Sequence, residues 1–111
     1  MISGMRIPDR AIIADEKITR YLLVQRPSDD KSGFLRKAGF TAENHAALRR
    51  AIRNLADSND AIEDGRNEYG VFYRVQGALT GPRAELNVVL IWMQRSVDHE
   101  FHFVTLKPLK E

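Results

Sequence analysis

The eleven residues from Glu85 to Arg95, ELNVVLIWMQR, constrain the fold of this chain more than any other stretch. Their centre, Val88 to Met93, is apolar without interruption, so a strand built from them is apolar on both faces, as in the middle of a sheet. A central strand needs neighbours, and they stand on either side of it. Tyr69 to Gln76 alternates Val71, Tyr73 and Val75 against Phe72, Arg74 and Gln76. Phe101, Phe103 and Thr105 alternate with His102, Val104 and Leu106. Thr80-Gly81-Pro82 and Ser96 to His99 supply the turns, and Pro108 closes the sheet.

The first half reads as helices. Ile7-Pro8 forces an extended entry, after which Arg10 to Ala14 either adds a short edge strand or crosses the core. Asp15 is placed as an N-cap for a helix from Glu16 to about Val24, with Ile18, Tyr21 and Leu22 on one face. Pro27 and Ser28 end it. A second helix from Asp29 or Asp30 to Ala38 buries Phe34 and Leu35, with Gly39 as its left-handed cap. Thr41 caps a third, Ala42 to about Asp57, whose apolar stripe is Ala47, Leu48, Ala51, Ile52 and Leu55. Arg49, Arg50 and Arg53 fall off that stripe. Ser58 to Glu68 is polar, contains Gly65, and reads as a mobile connector. The expectation is one α+β domain over residues 1–111, its N-terminal helices packed on one face of a C-terminal three-to-four-stranded antiparallel meander.

Composition excludes several classes. The chain has no cysteine, so a disulfide framework and thiolate metal sites are out. Its longest apolar run falls far short of the roughly 20 residues of a membrane helix, and no signal peptide is readable. A cytoplasmic protein without a membrane partner is expected, alone or as a homo-oligomer. Net charge is +2 but unevenly spread. Lys17 to Asn54 holds nine Lys/Arg against three Asp/Glu, whereas Leu55 to Phe72 holds five acids and only Arg66. A basic helical layer beside an acidic connector suits RNA or an acidic partner protein, although a solvated helix surface has the same composition.

The residues that carry chemistry are few. His99 and His102 lie three apart in a turn and strand, so the pleat sends them to opposite faces, and nothing draws His45 to them. No metal and no cofactor is expected. None of the five serines sits in a nucleophile-elbow pattern, and the glycines punctuate hairpins rather than cradle phosphate. A helix-turn-helix around Gly39 is spoiled by bulky Leu35 four before it and His45 six after it. Metal-free RNA cleavage asks for less: cations to neutralise phosphate and a group that exchanges a proton near the attacking hydroxyl. Lys17 and Tyr21, one helical turn apart, can present an ammonium and a phenol together. Lys31, Arg74 and His102 are the further candidates, with Tyr73 and Lys107 beside them. Each also has an ordinary reading: a snorkelling lysine, a core-edge tyrosine.

The runs R-I-P-D-R-A-I-I-A-D-E-K-I-T-R-Y-L-L, D-K-S-G-F-L-R-K-A-G-F-T, Y-G-V-F-Y-R-V-Q-G-A-L-T-G-P, N-V-V-L-I-W and F-V-T-L-K-P resemble a family of small bacterial domains of unknown function. Such domains occur alone and as terminal domains of phage-head and polymorphic-toxin proteins. The similarity spans Ile7 to Pro108. Its pattern falls here on Lys17, Tyr21, Leu22, Lys31, Phe34, Gly39, Phe40, Tyr69, Gly70, Trp92, Thr105 and Pro108. The layout also resembles compact toxin ribonucleases, an analogy of fold alone. One departure stands out: the family's loop before the second helix carries a histidine beside its proline and then a glycine, where this chain has Gln25, Arg26, Pro27, Ser28 and Asp29. If that histidine serves as general acid or base, the resemblance implies a non-catalytic relative.

Overall fold

The computed structural model describes residues 5–23 and 31–109. Helical elements come first: a π-helix (Lys17–Leu22), α1 (Lys31–Arg36), and a 3-10 turn (Ala42–Asn44) running into α2 (His45–Ser58). Four strands follow, β1 (Ile62–Asn67), β2 (Gly70–Thr80), β3 (Glu85–Arg95) and β4 (Phe101–Pro108), in the spatial order β1-β2-β3-β4 with every pairing antiparallel. The chain is therefore α+β with a four-stranded meander. No described helix is long and apolar enough to cross a membrane.

Cross-strand partners point to the same side, so the register sorts the sheet into two faces. Val75 pairs with Leu90 and Leu90 with Leu106; Tyr73 pairs with Trp92 and Trp92 with Phe103. That side carries Val75, Leu79, Val88, Leu90, Trp92, Phe103 and Leu106, all buried. The other side carries Phe72, Arg74 and Gln76, then Val89, Ile91 and Met93, then His102, Thr105 and Lys107, and none of these is buried. β3 is thus apolar on both faces, as its sequence requires, yet only one face is sealed.

Two strand expectations are corrected. In β4 the register slips beside β3, where Ile91 faces Thr105 and Trp92 faces Phe103. Val104 is the extra residue of a bulge, which lets Phe103 and Leu106, three apart, both enter the core. Strict alternation therefore fails there. The supposed connector, Ser58 to Glu68, contains β1, whose six residues are all exposed. Its partner is the backbone of β2, so no buried alternation marks it in the sequence. Gly65, at φ 115°, sits in an irregularity between Glu63 and Arg66. Those two side chains pair at 2.7 Å, and the hydrogen bond to Glu63, with its charge, raises the pKa of Arg66. A bulged and charged edge resists further strand pairing.

The helices follow their patterns with adjustments. In the π-helix the Leu23 N–H donates to Ile18 O at 3.1 Å, and Ile18 and Leu22 are buried. The residue before the π-helix is Glu16, which makes no side-chain cap, and the expected cap Asp15 pairs with Arg49 of α2. The expected helix end at Val24 to Ser28 and the helix start at Asp29 or Asp30 lie outside the described residues. α1 ends at Arg36, two residues before the expected Ala38, and Phe34 is only partly buried. The glycine cap is as expected: Gly39 is left-handed at φ 93°, and the Phe40 N–H returns to Leu35 O at 3.2 Å. The β2–β3 turn docks there, with the Arg83 N–H on Ala38 O at 2.9 Å. α2 lies against β2, burying Leu48, Ala51, Ile52, Leu55 and Ala56, while the π-helix touches β4 and α2.

The segment before the π-helix is part of the core. Ile7, Ala11 and Ile13 are buried, and Ile12 makes a parallel bridge to His102 on the outer edge of β4. Of the two routes open to Arg10 to Ala14, the chain takes both, with one bridge residue between core positions. Arg49 donates to Ile13 O and Arg53 to Ala11 O at 2.7 Å. Two of the three arginines off the α2 stripe therefore clamp this segment by its carbonyls.

Candidate functional site

A charged side chain near an aromatic ring is held by the ring's quadrupole, so the surroundings of Tyr21 organise the first cluster. The Lys17 ammonium stands 5.7 Å from the centre of the Tyr21 ring and the Lys31 ammonium 5.5 Å from it. The π-helix supplies Lys17 and Tyr21, and the first turn of α1 supplies Lys31. From the sheet, the Thr105 hydroxyl donates to the Tyr21 phenol oxygen at 3.2 Å. Two positive charges and two hydroxyls from three elements thus converge at the β4 side of the sheet. Thr105 was not among the site candidates; its only sequence signal was its place in the family pattern, F-V-T-L-K-P.

Arg74 and His102 belong to the unsealed face. Arg74 sits in the middle of a cross-strand row between Ile62 and Ile91, and Ile91 in turn faces Thr105. Two strand spacings, roughly 10 Å, separate the backbones of Arg74 and Thr105. His102 lies one row away, opposite Met93. Arg74 Nε and His102 Nε2 are both buried and have no hydrogen-bond partner among the described residues. The Glu100 carboxylate stands 3.7 Å from the imidazole Nε2, beyond hydrogen-bond reach but within ion-pair distance. Lys107 is exposed on the same face. Tyr73 faces the core side instead, paired with Trp92 and tilted against Phe101 at 5.6 Å between ring centres.

The five candidates thus fall into two groups, linked by the cross-strand row from Arg74 through Ile91 to Thr105. Lys17 and Lys31 both stand over the Tyr21 ring beside β4; Arg74 and His102 share the open sheet face. The described cavities lie elsewhere. The largest, about 400 Å³, is a shallow hollow lined by Glu68, Tyr69, Met93, Arg95, Ser96 and Val97 at the end of the sheet. No three His, Asp or Glu side chains among the described residues are grouped to hold a metal ion. Ammonium groups beside a phenol suit the binding of an anion, and a phenol and an imidazole are groups that can exchange protons.

A family model described as "Domain of unknown function (DUF6883)" matches residues 6–110. The chain belongs to this family, whose extent agrees with the resemblance read from Ile7 to Pro108. No curated protein and no solved structure matches the chain.

Proposed function

We propose that this DUF6883 domain acts on RNA, as a metal-independent, ribonuclease-like toxin module or a derivative of one. The observation that carries the reading is the placement of two ammonium groups, Lys17 and Lys31, within 6 Å of one phenol ring. In such a site Lys17, Lys31 and Arg74 contact phosphate and offset the charge that builds on its oxygens as a 2′-hydroxyl attacks phosphorus. Tyr21 or His102 takes the proton from that hydroxyl or returns one to the departing 5′-oxygen. The helices form a layer on the sealed side of the sheet and leave the other side to the substrate. The protein then works in the cytoplasm, where RNA is at hand.

The test is expression of wild type and Lys17→Ala in a bacterial host, with growth and the integrity of the RNA pool followed together. Wild type should inhibit growth and degrade RNA, and Lys17→Ala should do neither. Its unfolding free energy should stay within about 0.5 kcal/mol of wild type, since the exchange removes no core atom. An intact RNA pool under wild-type expression counts against the proposal.

The absence of the family's loop histidine at Gln25 to Asp29, outside the described residues, favours a second reading. On it the chain is a non-catalytic binding module, monomeric or homo-oligomeric, that docks an acidic partner protein through its exposed cations. Lys17→Ala then weakens capture of that partner and leaves nucleic acid untouched.

A further inference from the structure

We infer that the unsealed face of the sheet is a track for single-stranded RNA, leading across β4 to the Tyr21 cluster; this rests on the RNA-acting reading and names its substrate class. A sheet face that binds a single strand needs cations for the phosphates and apolar surface on which unstacked bases lie. This face offers both. The cations Arg74 and Lys107 stand on β2 and β4, beside the His102 imidazole, with half-buried Ile91 and Met93 between them on β3.

The availability of these cations separates them from others in the chain. Arg49 and Arg53, which belong to the basic stretch most suggestive of a polyanion site, are bonded to Ile13 O and Ala11 O. The buried Arg74 Nε has no hydrogen-bond partner among the described residues, whereas His102 Nε2 stands 3.7 Å from the Glu100 carboxylate, within ion-pair distance. A turn of the Arg74 guanidinium onto a phosphate oxygen gives its Nε–H a partner without breaking a bond of that atom, so the charge-assisted bond counts towards binding. The Arg74–Ile91–Thr105 row ends at the hydroxyl that touches Tyr21, which joins the track to the lysine pair. A duplex keeps its base faces stacked inside and cannot use the Ile91 and Met93 surface.

Fluorescence anisotropy with an end-labelled twelve-nucleotide RNA, free and annealed to its complement, tests this over a salt series. The single strand should bind the wild-type chain more tightly than the duplex. Arg74→Gln and Lys107→Gln should each weaken it about two- to fivefold at low salt. Each should also lower the slope of log affinity against log salt by about 0.7, the value for one lost phosphate contact on a single strand. Lys107 is exposed, so its variant reports on binding even if Arg74→Gln were to disturb the sheet. Equal affinity for duplex and single strand, or unchanged slopes in both variants, overturns the track. The RNA-acting reading fails separately, by persistence of RNA degradation in Lys17→Ala or its absence in wild type.

Discussion

At the scale of single residues, backbone approach and charge placement decide more than side-chain type. Gly81 lets the β2–β3 turn close on α1: a Cβ there would stand 2.4 Å from Ala38 O. Gly81→Ala should cost about 1–3 kcal/mol, as forced overpacking does, and urea midpoints should show it. Gly39→Ala combines a left-handed φ with a built Cβ 3.0 Å from Arg83 Cγ, and should cost about 1–2 kcal/mol at the same junction. Arg53→Met keeps the aliphatic stem but leaves the Ala11 carbonyl without its donor. A loss of about 1–3 kcal/mol is expected, with RNA binding unchanged, because this arginine is structural. Arg53 read as surface charge in the sequence, since only the folded chain brings residue 11 beneath residue 53.

At the scale of elements, the bulge in β4 does the positioning. It adds Val104 between Phe103 and Thr105, sets Phe103 and Leu106 in the core, and brings the Thr105 hydroxyl to Tyr21. Deleting Val104 should remove the bulge and leave Phe103, Thr105 and Leu106 opposite Trp92, Ile91 and Leu90 in regular alternation. Thermal unfolding should then stay cooperative, because Leu106, whose loss from the core would cost about 2–5 kcal/mol, remains inside. The π-helix does comparable work at the other end: its wide turn buries Ile18 and Leu22 while keeping Lys17 beside Tyr21. Such local departures from α-helix geometry are frequent at functional sites.

At the scale of the molecule, the N-terminal segment closes the core. Ile7, Ala11 and Ile13 are buried, Ile12 pairs with β4, and α2 holds the segment by two carbonyls. Removing residues 1–14 takes two buried isoleucines, Ile7 and Ile13, out of the core, worth about 1.5–3 kcal/mol each. A small domain has only about 5–15 kcal/mol in hand, so the truncated chain should show no folded baseline in near-ultraviolet circular dichroism.

The sequence by itself determined what depends on neighbours along the chain: α+β order, the β2–β3 hairpin and its turn, the full length of β3, the α2 stripe and the glycine cap of α1. Each is written in side-chain period or turn chemistry within a few residues. Tertiary structure alone decided that Ile62–Asn67 is a strand, that β4 bulges at Val104, and that Arg49 and Arg53 bond inward. It also decided that Lys31 joins Lys17 at Tyr21, and that Arg74 lies in a row with Thr105. Those features are pairings between distant segments, whose geometry is set by backbone hydrogen bonds and shared burial, and neither leaves a periodic trace at the residues concerned.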